Sequence, residues 1–412
     1  MDRVIAPPAL AGKIDPNPGK AEPLRAGPAC PVCAAGASEI FCHLPAMPVN
    51  VCVQWPSAEA ARACPRGDIM LALCPGCGYI WNVAFDPGRL DYSAAYENSL
   101  FFSPLFQDYS RKLALRLIER YGLREKELID IGCGKGDFLF LLCREGPNRG
   151  IGFDTSFAET AAPAGVKIIR DFYSEKYADI QGDLVASRYV LEHVPHPRPF
   201  LEMVRRAAEG RRHVIFYFEV PNTGLILREL SIWDIIYEHC SYFSAPSIRK
   251  LFAEAGFQVV DLYECYQGQF LGLEAALHWE GKSPANDHAD GLAQTIRQTR
   301  AFATRMKKQL RNWKSKLEAL RQSGLKACVW GAGAKGVTFL NMLQVGAEIP
   351  YIVDINPRKE GLFVPGTGQQ IVSPEFLRNY QPDCVIISNP IYADEIHQTM
   401  RDLDLHPIFL SN

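Results

Sequence analysis

Between about 105 and 275, short apolar runs at 128–131, 150–153, 167–169, 183–187 and 213–220 alternate with stretches whose apolar residues recur at helical spacing. Runs this short read as strands buried on both faces. Their alternation with helices predicts a doubly wound parallel sheet, an α/β unit with helices on both sides. From about 28 to 90 helical periodicity is weak and Cys, Pro and Gly are frequent. After a polar stretch at 282–289, Leu292, Ile296, Met306, Leu310, Trp313, Leu317 and Leu320 fall at helical spacing, with Lys and Arg on the other faces. That pattern predicts an amphipathic helix packed between two domains, its basic face in water. From about 324 the strand and turn pattern returns, with a strand and glycine turn over 327–336, a strand ending in an acid at 351–354 and an apolar strand at 384–388. The expected organisation is a flexible lead-in over 1–27, an N-terminal subdomain over 28–95, a central domain over 96–281, a linker helix over 282–322 and a Rossmann-like α/β domain over 323–412.

The central domain opens on the most informative stretch of the chain. The 128–131 run enters a turn spelled Asp-x-Gly-x-Gly-x-Gly, and the apolar helix pattern of Phe138, Leu139, Leu141 and Leu142 follows. Backbone N–H groups line such a turn where a ligand can approach closely. A second strand, Gly150-Ile-Gly-Phe-Asp154, ends in a carboxylate about 20 positions beyond the turn, placed to accept the hydroxyls of a ribose. The acid before the first glycine makes the turn resemble motif I of the class I methyltransferases, which bind S-adenosylmethionine (SAM), more than the pyrophosphate turn of NAD enzymes. On this reading the cofactor candidates are Asp130, Gly132, Cys133, Gly134, Gly136, Asp154, Asp171 and Arg188, with Cys133 filling the turn as a small residue.

Formal net charge is −2, which gives no electrostatic case for a nucleic-acid partner. No apolar run approaches the roughly 18 residues of a membrane span, and no secretory signal is visible. The chain has 13 cysteines, an odd number that argues against a disulfide framework and for a reducing, cytoplasmic setting. Four of them form two knuckle-type pairs, Cys30-Pro-Val-Cys33 and Cys74-Pro-Gly-Cys77. Brought together, these supply four thiolates for tetrahedral structural zinc, with a subdomain inserted between the pairs.

In an open α/β sheet, ligands bind beyond the carboxyl ends of the strands. The stretch Asp183 to Val194 therefore places Ser187, Arg188, Glu192 and His193 at the site, and the following strand ends in Glu219-Val-Pro-Asn222. The segment Trp233 to Ser244 then brings Tyr237, Glu238, His239 and Tyr242 within six positions. A histidine, whose ordinary pKa is about 6.5, serves as a general base near neutral pH, which singles out His239. If a carbon is the methyl acceptor, it becomes nucleophilic once its proton is lost beside a carbonyl, so the site needs a base and a donor to the enolate oxygen. Tyr237, Tyr242 and His193 are the donor candidates.

With these elements in order, the chain resembles the sugar C-methyltransferases that act on nucleotide-linked deoxysugars. That family joins an N-terminal zinc domain with two CxxC pairs, a class I methyltransferase core and a C-terminal Rossmann-like domain, and the likeness runs from about residue 28 to the C-terminus. Its most specific motif, Tyr-x-Glu-His-x-x-Tyr-x-Ser, is matched by Glu238, His239, Tyr242 and Ser244, while Ile236 stands where the family has tyrosine. The resemblance implies that His239 removes a proton beside a ketone, that Glu238 orients it or meets the substrate, and that the enolate attacks the SAM methyl. It also implies that the C-terminal domain helps hold the nucleotide, with Lys335 facing a phosphate and Asn222 a further substrate contact. Gly331, Gly333 and Gly336 with Asp354 formally match a dinucleotide turn, but the unit is short and Lys335 sits inside it, which argues against NAD. The expected partner is a nucleoside-diphosphate sugar, with no nucleic acid or membrane, and a monomer is favoured. The alternative is a SAM-dependent O- or N-methyltransferase acting on another small metabolite.

Overall fold

The computed structural model describes residues 25–90, 96–157, 162–211, 213–281 and 288–411. The expected flexible lead-in lies outside the described residues except at 25–27, and residues 282–287 of the expected linker also lie outside them. Residues 25–27 correct that expectation. They form a strand because Arg25, Ala26 and Gly27 pair antiparallel with Ile40, Glu39 and Ser38.

Among the described residues, three sheets organise the chain. The first is antiparallel, in the order β1 (Arg25–Gly27), β2 (Ser38–Pro48), β3 (Arg66–Leu73), β4 (Ile80–Asn82) and β10 (Ser241–Tyr242). Its last strand comes from the segment that carries His239, so this sheet helps to hold that segment in place.

The central sheet holds β5 (Glu127–Ile131), β6 (Arg149–Phe153), β7 (Val166–Ile169), β8 (Leu184–Arg188), β9 (Ile215–Pro221), β11 (Gln258–Cys265) and β12 (Phe270–Ala276), in the order β11-β12-β9-β8-β5-β6-β7. β5 to β9 pair in parallel, as the continuous apolar runs predict. β12 adds antiparallel to β9, and β11 antiparallel to β12. At this edge a tight hairpin extends the doubly wound parallel sheet that the pattern predicts. Tyr266, Gln267 and Gly268 all take positive φ there, and so short a connection joins only antiparallel strands.

The third sheet is parallel throughout, in the order β15 (Gln370–Val372), β14 (Tyr351–Val353), β13 (Ala327–Trp330), β16 (Cys384–Ile387) and β17 (Ile408–Ser411).

The expected amphipathic helix spans His288–Ser323 and buries Phe302, Met306, Trp313 and Leu317. One continuous apolar core joins this helix, the first sheet, the 226–242 segment and the third sheet. At its centre Trp233 and Trp313 each meet the ring of Phe339 at 5.0 Å, near-edge-on. A buried side chain of this size contributes about 2–3 kcal/mol, so such a core locks the three regions together. A second core packs the cysteine knuckles and Tyr79 against the helix Ala245–Glu254 and β9.

Candidate active site

The carboxyl ends of β5, β6 and β8 open into a cavity of about 400 Å³, within the usual range for a small-molecule site. Asp130, Gly132, Cys133, Gly134, Asp154, Asp171, Arg188 and His193 all line it. Gly136 instead starts the helix Asp137–Glu145 as its N-cap, at φ 84°. Gly134 sits at φ 57°, and a Cβ there would meet nothing within 4 Å, so its bare backbone faces the open space. Its N–H donates to Asp154 Oδ2 at 2.8 Å, while Ser156 donates to Oδ1 from its N–H at 2.7 Å and its Oγ at 2.6 Å. A carboxylate has about four acceptor positions, so about one remains for a ligand hydroxyl. Asp171 accepts from Lys176 Nζ and Tyr177 Oη, and that ammonium holds its carboxyl below the usual range. Beside it, Phe172 is 65% exposed and lines the cavity, a flat apolar face open to a ring. Arg188 is buried in an ion pair with Glu219 at 3.2 Å, over the ring of Phe138.

The charge balance of this cavity identifies the kind of ligand it suits. Asp130, Asp137, Asp154 and Asp171 face it, Asp171 being paired with Lys176; of the basic lining residues, Arg188 is neutralised by Glu219 and Lys135 donates to Ser156 O. Burial pushes the Asp130 carboxyl up to about 7. A cationic sulfonium fits such a site better than an anionic pyrophosphate.

The histidines meet at the edge of this cavity. His193, on the turn after β8, lines it, and its ring centroid lies 4.9 Å from that of His239, edge to face. Burial drives His193 down to about 4. His239 is half-buried and held well below its ordinary value, by burial first, then by His193 and by the Lys335 ammonium. Both rings are therefore neutral near pH 7, the form that accepts a proton. Donor atoms of Glu192, His193 and His239 lie within 4.8 Å of one another, and Glu192 Oε2 is buried without a hydrogen-bond partner. Burial pushes that carboxyl up to about 8.

The rest of the expected constellation faces elsewhere. Glu238 accepts from Val51 N–H at 2.5 Å, Cys52 N–H at 3.4 Å and Tyr96 Oη at 2.5 Å, so both oxygens are engaged by the N-terminal region instead of by His239. Burial still raises it to about 7. Tyr237 lies flat against Gly67, and its Oη accepts from Asp86 N–H at 3.0 Å. Tyr242 meets His239 edge-on, ring centroids 6.1 Å apart, but its Oη closes the loop on Ile236, accepting from N–H at 3.2 Å and donating to O at 3.0 Å. Ser244 caps the helix Ala245–Glu254 in a reciprocal box with Ser247. The two tyrosines are thus corrected from enolate donors to framework, because their hydroxyls are already paired within the fold. Asn222 is corrected likewise. It caps the helix Thr223–Glu229 and donates to Glu264 and to Gly268 O, which leaves it no free donor. Lys335 approaches the histidines but forms an ion pair with Asp234.

Residues that the motifs did not flag complete the cavity. Tyr96, Asn98, Phe101 and Phe106 come from the stretch leading into the helix Pro104–Tyr121. Aromatic density over 96–106 is the signal that could have found them.

The four knuckle cysteines converge as expected. Cys30 and Cys77 Sγ lie 3.7 Å apart, Cys33 and Cys74 Sγ 3.5 Å, and all four fall within 4.8 Å. Zinc–sulfur bonds of about 2.3 Å put tetrahedral S···S edges near 3.8 Å, so this set could hold that ion. A closed four-thiolate site would tie the knuckles together without entering the chemistry.

Residues 105–262 match a methyltransferase domain family, and residues 284–405 match a C-methyltransferase C-terminal domain family. The C-methyltransferase NovU of Streptomyces niveus is 29% identical over 308 residues, covering 70% of this chain and 72% of that protein. Among solved structures, the N,N-8-amino-8-demethyl-D-riboflavin dimethyltransferase RosA of Streptomyces davawensis aligns at TM-score 0.33 and 17% identity, over 42% of this chain and 54% of its own. The magnesium protoporphyrin IX methyltransferase of Synechocystis PCC 6803 aligns at 0.32 and 16%, over 42% and 84%. Both domain matches and the curated relative point the same way: the chain is a SAM-dependent methyltransferase that carries a region similar to the C-methyltransferase C-terminal domain.

Proposed function

We propose that the acceptor is a carbon beside the ketone of a nucleotide-linked keto-deoxysugar, and that His239 removes its proton. The observation that carries this is the His239 ring, 4.9 Å edge to face from that of His193, which lines the SAM cavity. SAM supplies the methyl group. Asp154, with one acceptor position left, would hold a ribose hydroxyl, and Gly134 would let the cofactor approach the backbone. His193, the donor candidate still facing the cavity, would serve the enolate oxygen. Lys335 with Asp234 would lie on the nucleotide side. Cys30, Cys33, Cys74 and Cys77 would hold structural zinc. The chain would act as a monomer in the cytoplasm, its three sheets sharing cores.

The test is exchange. Enzyme with S-adenosylhomocysteine is incubated in deuterated water with a panel of dTDP- and GDP-linked keto-sugars, and the C–H signals are followed by NMR. One sugar should lose the signal beside its ketone, and His239→Asn should slow that exchange about 100-fold. No exchange in any sugar, together with methyl transfer to an oxygen or nitrogen once SAM replaces S-adenosylhomocysteine, would replace this reading with the alternative, which the buried Ile236 at the family's tyrosine position favours.

A further inference from the structure

The stretch Tyr96 to Phe106 covers the cofactor cavity, with Tyr96, Asn98, Ser99, Leu100, Phe101 and Phe106 in its lining. Its own strand pairing is slight, one bridge from Tyr96 to Val53. Its start is held by Tyr96 Oη on Glu238 and by Glu97 N–H on Cys52 O at 2.9 Å, and the C-terminal unit holds the rest through two carboxylates. Glu97 accepts from Arg358 Nη1 at 3.1 Å and Asn356 Nδ2 at 3.2 Å, and is 9% exposed. The Arg358 guanidinium also stands 5.6 Å from the Phe102 ring. Further on, Glu395 accepts from Leu105 N–H at 2.8 Å and from Ser103 Oγ at 3.0 Å.

Glu395 thereby caps a helix of another domain. The helix Pro104–Tyr121 has unpaired N–H groups and a partial positive charge at its start, and a carboxylate there is favourable. The next residue, Phe106, is in the cavity wall. Arg358 reaches the cavity by a second route: its charge is felt at Asp137, which also lines the wall and whose carboxyl burial pushes up.

We propose that Arg358 and Glu395 are cofactor-positioning residues, through which the C-terminal unit holds the Tyr96–Phe106 stretch over the SAM cavity. Neither needs to touch SAM. They fix the aromatic wall in its binding geometry before the ligand arrives, which lowers the ordering cost of binding. The role is independent of which substrate is methylated.

Calorimetric titration of the full chain with S-adenosylhomocysteine tests this, with melting temperatures in parallel. Arg358→Ala and Glu395→Ala should each raise Kd about tenfold, with Glu395→Gln intermediate because its amide oxygen still accepts. Arg62→Ala is the control. It removes a different link to the C-terminal unit, Arg62 Nε to Thr367 O at 3.3 Å, away from the cavity, and should leave Kd unchanged. An unchanged Kd in folded Arg358→Ala and Glu395→Ala overturns the proposal, and so does an equal loss in Arg62→Ala, which would mean general loosening. Should the alanine variants not fold, the near-isosteric Glu97→Gln takes their place, with about a threefold rise expected and no change overturning it.

Discussion

The chain contains two glycine turns built on the same plan; the first lines the cofactor cavity, and the acid of the second is paired with a lysine. After β5, Gly134 N–H donates to Asp154 Oδ2 at 2.8 Å and Ser156 N–H to Oδ1 at 2.7 Å. After β13, Ala332 N–H donates to Asp354 Oδ2 at 2.9 Å and Asn356 N–H to Oδ1 at 2.9 Å. The difference is a lysine. Lys359 is 5% exposed, and its ammonium donates to Asp354 Oδ2 at 3.2 Å and to Ala332 O at 3.1 Å. Lys335, in the second turn itself, is tied to Asp234. The second turn is thus an internally neutralised joint that carries Arg358 a few residues on, whereas Asp154 in the first lines the cavity and accepts from the neutral donors Gly134 N–H, Ser156 N–H and Ser156 Oγ. A glycine fingerprint specifies a backbone shape; the charges around it decide whether that shape serves a ligand or the fold.

The largest expected effect lies on the second turn. Lys359→Met strips a buried carboxylate of its counter-charge and should cost about 3 kcal/mol in urea unfolding. If stability is unchanged, Lys359 is not what closes that turn. Next comes a matched pair. Gly134→Val forces a branched side chain into left-handed backbone and into the cavity, and should weaken S-adenosylhomocysteine about 100-fold by calorimetry. Gly333→Val, at φ −92° with no atom within 4 Å of a new Cβ, should leave that affinity within about twofold. Equal losses would erase the distinction between the turns.

The smallest effect is a pH dependence. Asp130 rises from 3.8 to about 7 on burial, so the folded state binds the proton more tightly than the unfolded state. Its stabilisation is complete below pH 3.8 and is lost as pH rises through about 7. Asp130→Asn should therefore flatten the fall of melting temperature across that window, by about 2 °C. A slope that stays the same would mean that Asp130 does not titrate there.

The parallel strands of the central sheet were legible because each is a continuous apolar run, and the turn glycines because few sequences need three in five positions. The hairpin of β11 and β12 was not, since Gln258–Cys265 mixes polar and apolar residues and its antiparallel pairing rests on the Tyr266–Gly268 turn. Two-residue β10 has no sequence signal at all; it exists because Ser241 and Tyr242 find Trp81 and Ile80. In the site, motif residues were read by what their groups can do. Tyr237, Tyr242, Glu238 and Asn222 all make the hydrogen bonds their chemistry allows, but with the framework. Residue type gives bonding capacity, and only the fold gives direction.

By itself, then, the sequence determined what depends on local pattern: the strands and helices with strong periodicity, the paired cysteine knuckles, the acid-flanked glycine turn, and the histidines at strand ends. Only the tertiary structure decided which acids stay unpaired, which hydroxyls close loops and which turn a lysine neutralises. Those outcomes depend on side chains far apart in the chain, such as Glu238 with Val51 or Glu395 with Leu105, and no local pattern encodes a contact whose two halves are folded together from opposite ends of the molecule.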